Sequence, residues 1–492
     1  MSRLYVENFG PIASGDIELK PLTILLGPNN SGKSYLAMLI HSLINVLSEE
    51  SLGHKRFFRP TFSDDPGENS QEILDKIRPL LQEQLEALDE GGKRELPKKI
   101  INYLIKHKSE KSSKLLEQEF IRFYSCQSND LIRLNKPSSS IKLYNESESF
   151  QFEIEKDKIR PGAKNNTKLD VFLRSGDSEG YSFSLSNYGY KPVSLTVPPN
   201  YIEKGEKRLN MTLWGLSNSV TAFIKHNTLG TIGFPSYYLP AARSGILQGL
   251  KALAASVVRS APLSEFEGME IPKLSGGVSD FISLLMEMDE REGPLFKMAT
   301  EFETELLKGN LDLQTRDRLA IPEIMYHFKD IKIPLRRASS TISELAPLFL
   351  YLKYKVKEGD LLIIEEPEAH LHPENQRILA KLLVRLIRSG LRLVITTHSD
   401  FLIEQLSSYI VLNQVKDEQR RRSLEFDEND YLSADEVGAY AFKLDDKEDG
   451  YIVDTIEVTD EDGISPEEFL RVHEALYNES LKIHQTLEDE SC

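Results

Sequence analysis

Apolar residues along this chain change period several times, and each change marks an element. Leu22-Thr23-Ile24-Leu25-Leu26 shows no polar alternation and reads as a buried strand, whereas Leu36, Leu39, Ile40, Leu43, Ile44 and Leu47 recur at helical spacing after Lys33. Residues 3 to 26 read together as a β-meander, with Leu4 and Val6 alternating with polar residues and a turn at Asn8-Phe9-Gly10-Pro11. From about Ser63 to Cys126 the pattern turns helical and charged. Ile73, Ile77, Leu80, Leu81, Leu85 and Leu88 share one stripe before a Gly91-Gly92 break, which predicts an inserted helical hairpin or arm. Alternation returns from about Ser140 to Val197 and predicts antiparallel strands, closed by Tyr237-Tyr-Leu-Pro-Ala-Ala-Arg243-Ser244. Helical spacing resumes at Ile246. Helical blocks near 279–308 and 342–358 bracket a strand pair at 323–328 and 332–335. Then come the run Leu361 to Ile364, a helix from Pro373 to Ser389, and the strand Leu391 to Thr397. A polar linker at Lys416 to Arg422 leads to strands at 439–444 and 452–458 and a helix after Pro466.

With 492 residues the chain exceeds one ordinary core, so two or three structural units are expected. Hydrophobic residues at 40% suffice for a packed interior. The two cysteines, Cys126 and Cys492, provide no disulfide framework and suit a reducing cytosol. No apolar stretch approaches the ~18 residues of a membrane span and no leader pattern opens the chain, so a cytoplasmic protein without a membrane partner is expected. A formal charge of −17 opposes a uniformly nucleic-acid-coated surface. One segment departs from that balance: Gly91 to Lys114 carries a net charge of +6, read first as a solvated helical face and second as a nucleic-acid groove.

Two short stretches carry the chemistry. Gly27-Pro28-Asn29-Asn30-Ser31-Gly32-Lys33-Ser34 fits a G-x-x-x-x-G-K-[ST] loop between a strand and a helix. There backbone N–H groups and the helix N-terminus cradle phosphates, Lys33 reaches the β- and γ-phosphates, and the Ser34 hydroxyl holds Mg²⁺. Far downstream, four aliphatic residues end in Glu365-Glu366, which places two acids at a strand terminus. Glu365 is expected to hold the water shell of Mg²⁺, and Glu366 to act as the general base toward water in ATP hydrolysis. His398 follows the next strand, 32 residues after Glu366, where it can reach the γ-phosphate.

On these motifs, with Asn8-Phe9-Gly10-Pro11-Ile12, Glu365-Glu-Pro-Glu-Ala-His-Leu-His-Pro373 and Thr396-Thr-His-Ser-Asp400, the chain resembles ABC-class ATPase heads of the SMC-like and OLD (overcoming lysogenisation defect) families. The resemblance implies an α/β fold: an ABC-type P-loop head with a mixed β-sheet core, an antiparallel β subdomain and helical insertions. It divides the chain into head residues 1–62, a helical insertion 63–130, a β-rich lobe 131–245, a helical arm 246–320, the second part of the head 321–412 and a small α/β segment 413–492. It also implies a homodimer, or a higher even-numbered homo-oligomer, in which each ATP lies between the loop of one subunit and a signature motif of the other. Ser339 and Ser340, in Arg337-Ala-Ser-Ser-Thr-Ile-Ser-Glu344, stand where that signature belongs, 26 residues before Glu365. Leu274-Ser-Gly-Gly277 spells a transporter-type signature but lies far upstream. The chain departs from the family pattern at Thr341, in place of a glycine, and at Glu365, in place of an aspartate.

OLD-type nucleases add a TOPRIM domain, yet only 94 residues follow His398 here, and Asp427-Glu-Asn-Asp430 reads as a solvated loop. No nuclease chemistry is expected. The chain then resembles the ATPase subunits of two-gene anti-phage systems of the PARIS and Septu type, which implies a separately encoded effector as partner. The alternative is a DNA-repair or chromosome-maintenance ATPase of the RecF or SMC-like kind that clamps DNA directly.

Overall fold

Three short, almost wholly buried runs, Leu22–Leu26, Leu361–Glu365 and Arg392–Thr397, lie side by side as parallel strands. Runs without alternation need cover on both faces, and helices supply it. Leu25, Ile363 and Val394 face a core shared with helices Lys33–Ser48 and Lys98–Tyr124. Ile24, Leu362, Ile364, Leu393 and Ile395 face a second core under helices Ser340–Tyr354, Pro373–Arg388 and Asp400–Leu412. Each such aliphatic side chain contributes about 1.5–3 kcal/mol by its burial. The computed structural model describes residues 2–48, 68–88, 93–146, 148–156, 158–161, 166–167, 170–175, 181–186, 193–197, 213, 216, 229–249, 274–314, 323–445 and 447–490. The Gly91-Gly92 break, the boundary near residue 62 and Cys492 lie outside the described residues.

The twelve-stranded sheet is mixed, as the fold class requires. From one edge its order is Ser236–Leu239, Leu361–Glu365, Arg392–Thr397, Leu22–Leu26, Val437–Asp445, Gly450–Ile456, Ile12–Glu18, Arg3–Phe9, Ser138–Tyr144, Glu148–Glu155 and Lys158–Pro161, with Asn166–Thr167 also pairing to Glu148–Glu155. The first five strands are mutually parallel, and the half beyond Ile12–Glu18 is antiparallel. The meander therefore stops after two strands. Arg3–Phe9 and Ile12–Glu18 pair as a hairpin, but Leu22–Leu26, buried throughout, inserts between Arg392–Thr397 and Val437–Asp445.

The C-terminal strands do not form a unit of their own. Val437–Asp445 and Gly450–Ile456 occupy the middle of the sheet and join its parallel and antiparallel halves. The polar stretch 416–422, expected as a linker, is largely a short helix, Glu418–Ser423. Asp417 caps it by accepting the N–H groups of Gln419 and Arg420 at 2.8 and 3.2 Å. Nor is Asp427 to Asp430 a simple solvated loop. Asp430 is fully buried, and Arg385 Nε donates to it at 2.6 Å while Lys381 lies at 3.3 Å. Burial opposes ionisation there, but the Arg385 hydrogen bond prevails and holds this carboxyl below its usual range.

Helices Glu68–Leu88 and Lys98–Tyr124 pack against each other. Phe120 and Tyr124 pack on Phe9, Tyr124 also packs on Tyr35, and Phe123 packs on His41. Arg122 forks between Glu119 and Asp280, tying this helix to helix Gly276–Met286.

Candidate nucleotide site

The register of the parallel strands sets the site. Glu365 stands opposite Thr396 and Thr397 opposite Leu26, so loop, acids and His398 all emerge at the carboxyl ends of adjacent strands. That end of an open α/β sheet is where ligands bind. A cleft of about 720 Å³ opens there, lined by the Asn29–Tyr35 stretch, Glu366, Thr396, His398 and Pro11. Gly32 has φ +105°, and a Cβ on it would sit 2.8 Å from the Ile12 side chain. A glycine is required there for the loop to curl against the first hairpin.

Lys33 is 6% exposed and folds back over its own loop, donating to the carbonyls of Gly27 at 2.9 Å and Pro28 at 2.7 Å. Burial lowers its pKa to about 8, against the opposing pull of Glu366, Glu365 and Glu368. Ser31 is fully buried, and its hydroxyl has no hydrogen-bond partner among the described residues. Glu365 is 6% exposed. Its Oε2 accepts from the Ala241 N–H at 3.0 Å, while Oε1 and the nearby Tyr238 hydroxyl remain outside hydrogen-bond geometry. Buried oxygens of this kind are costly unless a ligand or ion takes them up. Ser31 and Glu365 thus fit a loop for phosphate beside a carboxylate for Mg²⁺, and Ser34 lines the same cleft.

Glu366 leaves the strand with φ +44°, a left-handed conformation that costs a non-glycine residue about 1–3 kcal/mol. Its N–H donates to the Thr396 carbonyl at 3.0 Å, which fixes the turn and points the side chain into the cleft lining. His398 Nε2 lies 3.2 Å from Glu366 Oε1, and both side chains keep about a third of their surface in water, 33% and 39%. Behind them Glu368 Oε1 accepts from the His398 N–H at 3.1 Å and from the Thr397 hydroxyl, anchoring the histidine loop.

The structure brings Lys33, Glu366 and His398 to one cleft, with Glu365 immediately behind. Ser339 and Ser340 stand apart, exposed at the start of helix Ser340–Tyr354, where Ser339 caps the Ile342 N–H at 3.4 Å. Thr341, in place of a glycine, donates its hydroxyl to the His370 carbonyl at 3.1 Å. Leu274-Ser-Gly-Gly277 serves packing instead. Gly276 is buried, and a Cβ on it would meet the Phe123 ring at 2.8 Å. His372 caps helix Pro373–Arg388 through the Glu374 N–H, and among the described residues no cluster of three metal-ligating side chains occurs.

Four contributors were given no role by the sequence, although Pro11, Thr396 and Glu368 lie inside the quoted motifs. Pro11 and Thr396 line the cleft, Glu368 anchors the histidine loop, and buried Arg243 donates to the carbonyls of both Glu365 and Glu366. Arg243 stands four residues past the end of strand Ser236–Leu239, in the stretch Tyr237-Tyr-Leu-Pro-Ala-Ala-Arg243-Ser244, where nothing local announces its partners.

The solved structures that align with the chain at low identity include an SMC head bound to the C-terminal winged-helix domain of ScpA (12% identity, TM-score 0.39, 93% of this chain and 97% of that one); the SMC head with an extended coiled coil bound to the C-terminal domain of ScpA, from Pyrococcus furiosus (13%, 0.34, 97% and 100%); and the SMC head domain from Thermotoga maritima (11%, 0.33, 93% and 98%). No curated protein matches the chain. A family model described as an AAA ATPase domain matches residues 1–187 and 259–403, more than half of the sequence and both halves of the cleft. The chain belongs to the AAA ATPase domain family.

Proposed function

We propose that this protein binds ATP with Mg²⁺ and hydrolyses it to ADP and phosphate, each ATP being closed between two copies of the chain. The observation that carries the reading is the convergence of Lys33, Glu366 and His398 on one cleft with Glu365 buried behind them. Lys33 binds the β- and γ-phosphates beside the loop N–H groups. Ser34 and Glu365 hold Mg²⁺, which when bound neutralises charge on those phosphates. Glu366 accepts a proton from water as the water oxygen attacks the γ-phosphorus and ADP departs. His398, in contact with Glu366, reaches the same γ-phosphate, and Ser339 and Ser340 of the second copy complete the site from their exposed helix start.

Within that reading the ATPase serves as the sensor or regulatory subunit of an anti-phage defence system and controls a separately encoded nuclease or toxin. This rests on the resemblance of the motifs to such subunits. Co-expression with the neighbouring gene tests it: a complex whose assembly or release depends on ATP is expected, and no association in any nucleotide state overturns it.

A second reading has its own observation. Lys98, Lys99, Lys106, Lys111 and Lys114 are all exposed on helix Lys98–Tyr124, a basic surface on an acidic protein that winds around the helix and includes a Lys106–Glu110 pair at 4.0 Å. A DNA clamp predicts salt-sensitive DNA binding that weakens when Lys98, Lys99, Lys106 and Lys108 are neutralised, the salt slope falling by about one for each lysine that had paired with a phosphate. Unchanged binding excludes that surface.

A further inference from the structure

One buried ion pair joins the two parts of the molecule that the proposed reaction keeps apart. Arg243 is 1% exposed and Glu344 is fully buried. The Arg243 guanidinium donates from Nε to the Glu344 carbonyl at 3.0 Å, from Nη1 to the carbonyls of Pro240 and Glu365 at 3.1 and 2.7 Å, and from Nη2 to the carbonyl of Glu366 at 3.2 Å. The Glu344 carboxylate lies 3.1 Å from Nε and accepts the backbone N–H groups of Arg243 and Ser244 at 3.0 and 2.9 Å.

Removing two charges from water is expensive, and apolar residues of similar volume would often pack as well. What apolar residues cannot do is satisfy the carbonyls at the end of strand Leu361–Glu365, where the ladder stops and Glu366 turns left-handed. A planar fork of five donors meets that need, and lysine, a single point of charge, does not. Glu344 is the other end of the contact. It lies on helix Ser340–Tyr354, one turn (about 5.4 Å) below exposed Ser340. The Thr341 hydroxyl ties the same first turn to His370, in the loop that follows the acids.

We infer that Arg243 and Glu344 form a strut that makes the acid pair and the exposed start of helix Ser340–Tyr354 one rigid body. Arg243 is then a positioning residue for two nucleotide sites, holding Glu365 and Glu366 for its own subunit and Ser339 for the partner. This rests on the ATP-sandwich reading given above. Closing of one site moves the serines at the other, so the two sites report on each other through a single arginine.

Mixed dimers with one hydrolysing site test the inference. One subunit carries Glu366→Gln, so that only its partner's loop and acids turn over ATP, and Glu344→Gln is added to either subunit in turn. Glu344→Gln keeps a side-chain acceptor for one of the two backbone N–H groups, and Arg243→Lys is run in parallel as the charge-conserving variant. The expected result is a fall in kcat of about 10- to 100-fold in both placements with KM for ATP little changed, the signature of misplaced groups rather than lost binding. An effect in one placement only, or in neither, overturns the strut. Ser339→Arg in the Glu366→Gln subunit is the control for the underlying reading. If hydrolysis survives it, the head-to-tail sandwich fails independently of Arg243.

Discussion

The helices Lys33–Ser48 and Ser340–Tyr354 both begin beside hydroxyl-bearing residues, and the two beginnings differ in almost every physical respect. At the first, Ser31 is fully buried and Lys33 nearly so, the loop curls against the opening hairpin, and the lysine amine is already bonded to two carbonyls. At the second, Ser339 and Ser340 are exposed, and the Ser339 hydroxyl caps only its own helix. The first is a cradle built within one chain. The second is a surface, anchored from below by Glu344 and Thr341 and offered outward. On the proposed reading, preorganisation is not confined to one subunit: half of the site is finished within one chain, and the other half is presented rigidly for a second copy.

The largest effect that would break this contrast is on the base. Glu366→Gln is expected to lower kcat by about 10²–10⁴-fold while ATP affinity is retained, measured by phosphate release and by equilibrium titration with ATP. Next is the cradle, where Lys33→Ala removes the charge from the loop. A loss of about 10²–10³-fold in kcat, with weakened ATP binding, is expected from the same two assays. Ser339→Arg sharpens the contrast from the other side, because it should spare ATP binding by the separate subunit yet reduce turnover by about 10²-fold, if the exposed serines act in trans.

The smallest effect is a titration. Burial holds Lys33 at a pKa of about 8, below its ordinary 10.5, and phosphate binding needs the charged amine. Affinity for ATP therefore falls as pH rises through about 8, by at most ~10-fold per pH unit. For the free protein the sign is opposite. Between pH 8 and 10.5 the unfolded chain holds more protons at this lysine than the folded one, so the group's contribution to stability grows over that window. Lys33→Met should flatten both profiles.

Much of this was legible in the residues because the relevant chemistry is local. The phosphate loop joins a strand and a helix in one stretch of chain, and the acids end an apolar run, so period and spacing sufficed. Glu368 and Arg243 escaped because their meaning comes from partners far along the chain: Glu368 accepts from His398, and Arg243 reaches Glu344, Glu365 and Glu366. The place of Val437–Asp445 beside Leu22–Leu26 was hidden for a similar reason, since alternation identifies a strand but not its neighbour. Charge misled at Asp430, where a polar run conceals a buried carboxylate paired with Arg385 and Lys381.

In the proposed sandwich the exposed serines complete a second copy's cradle. Its most direct test is the solution mass of the Glu366→Gln protein with and without MgATP, alone and combined with Ser339→Arg. MgATP is expected to double the mass of the assembling unit, and Ser339→Arg to prevent the doubling. A mass indifferent to ATP, or full ATP turnover by the parental protein at concentrations where it is monomeric, would contradict it.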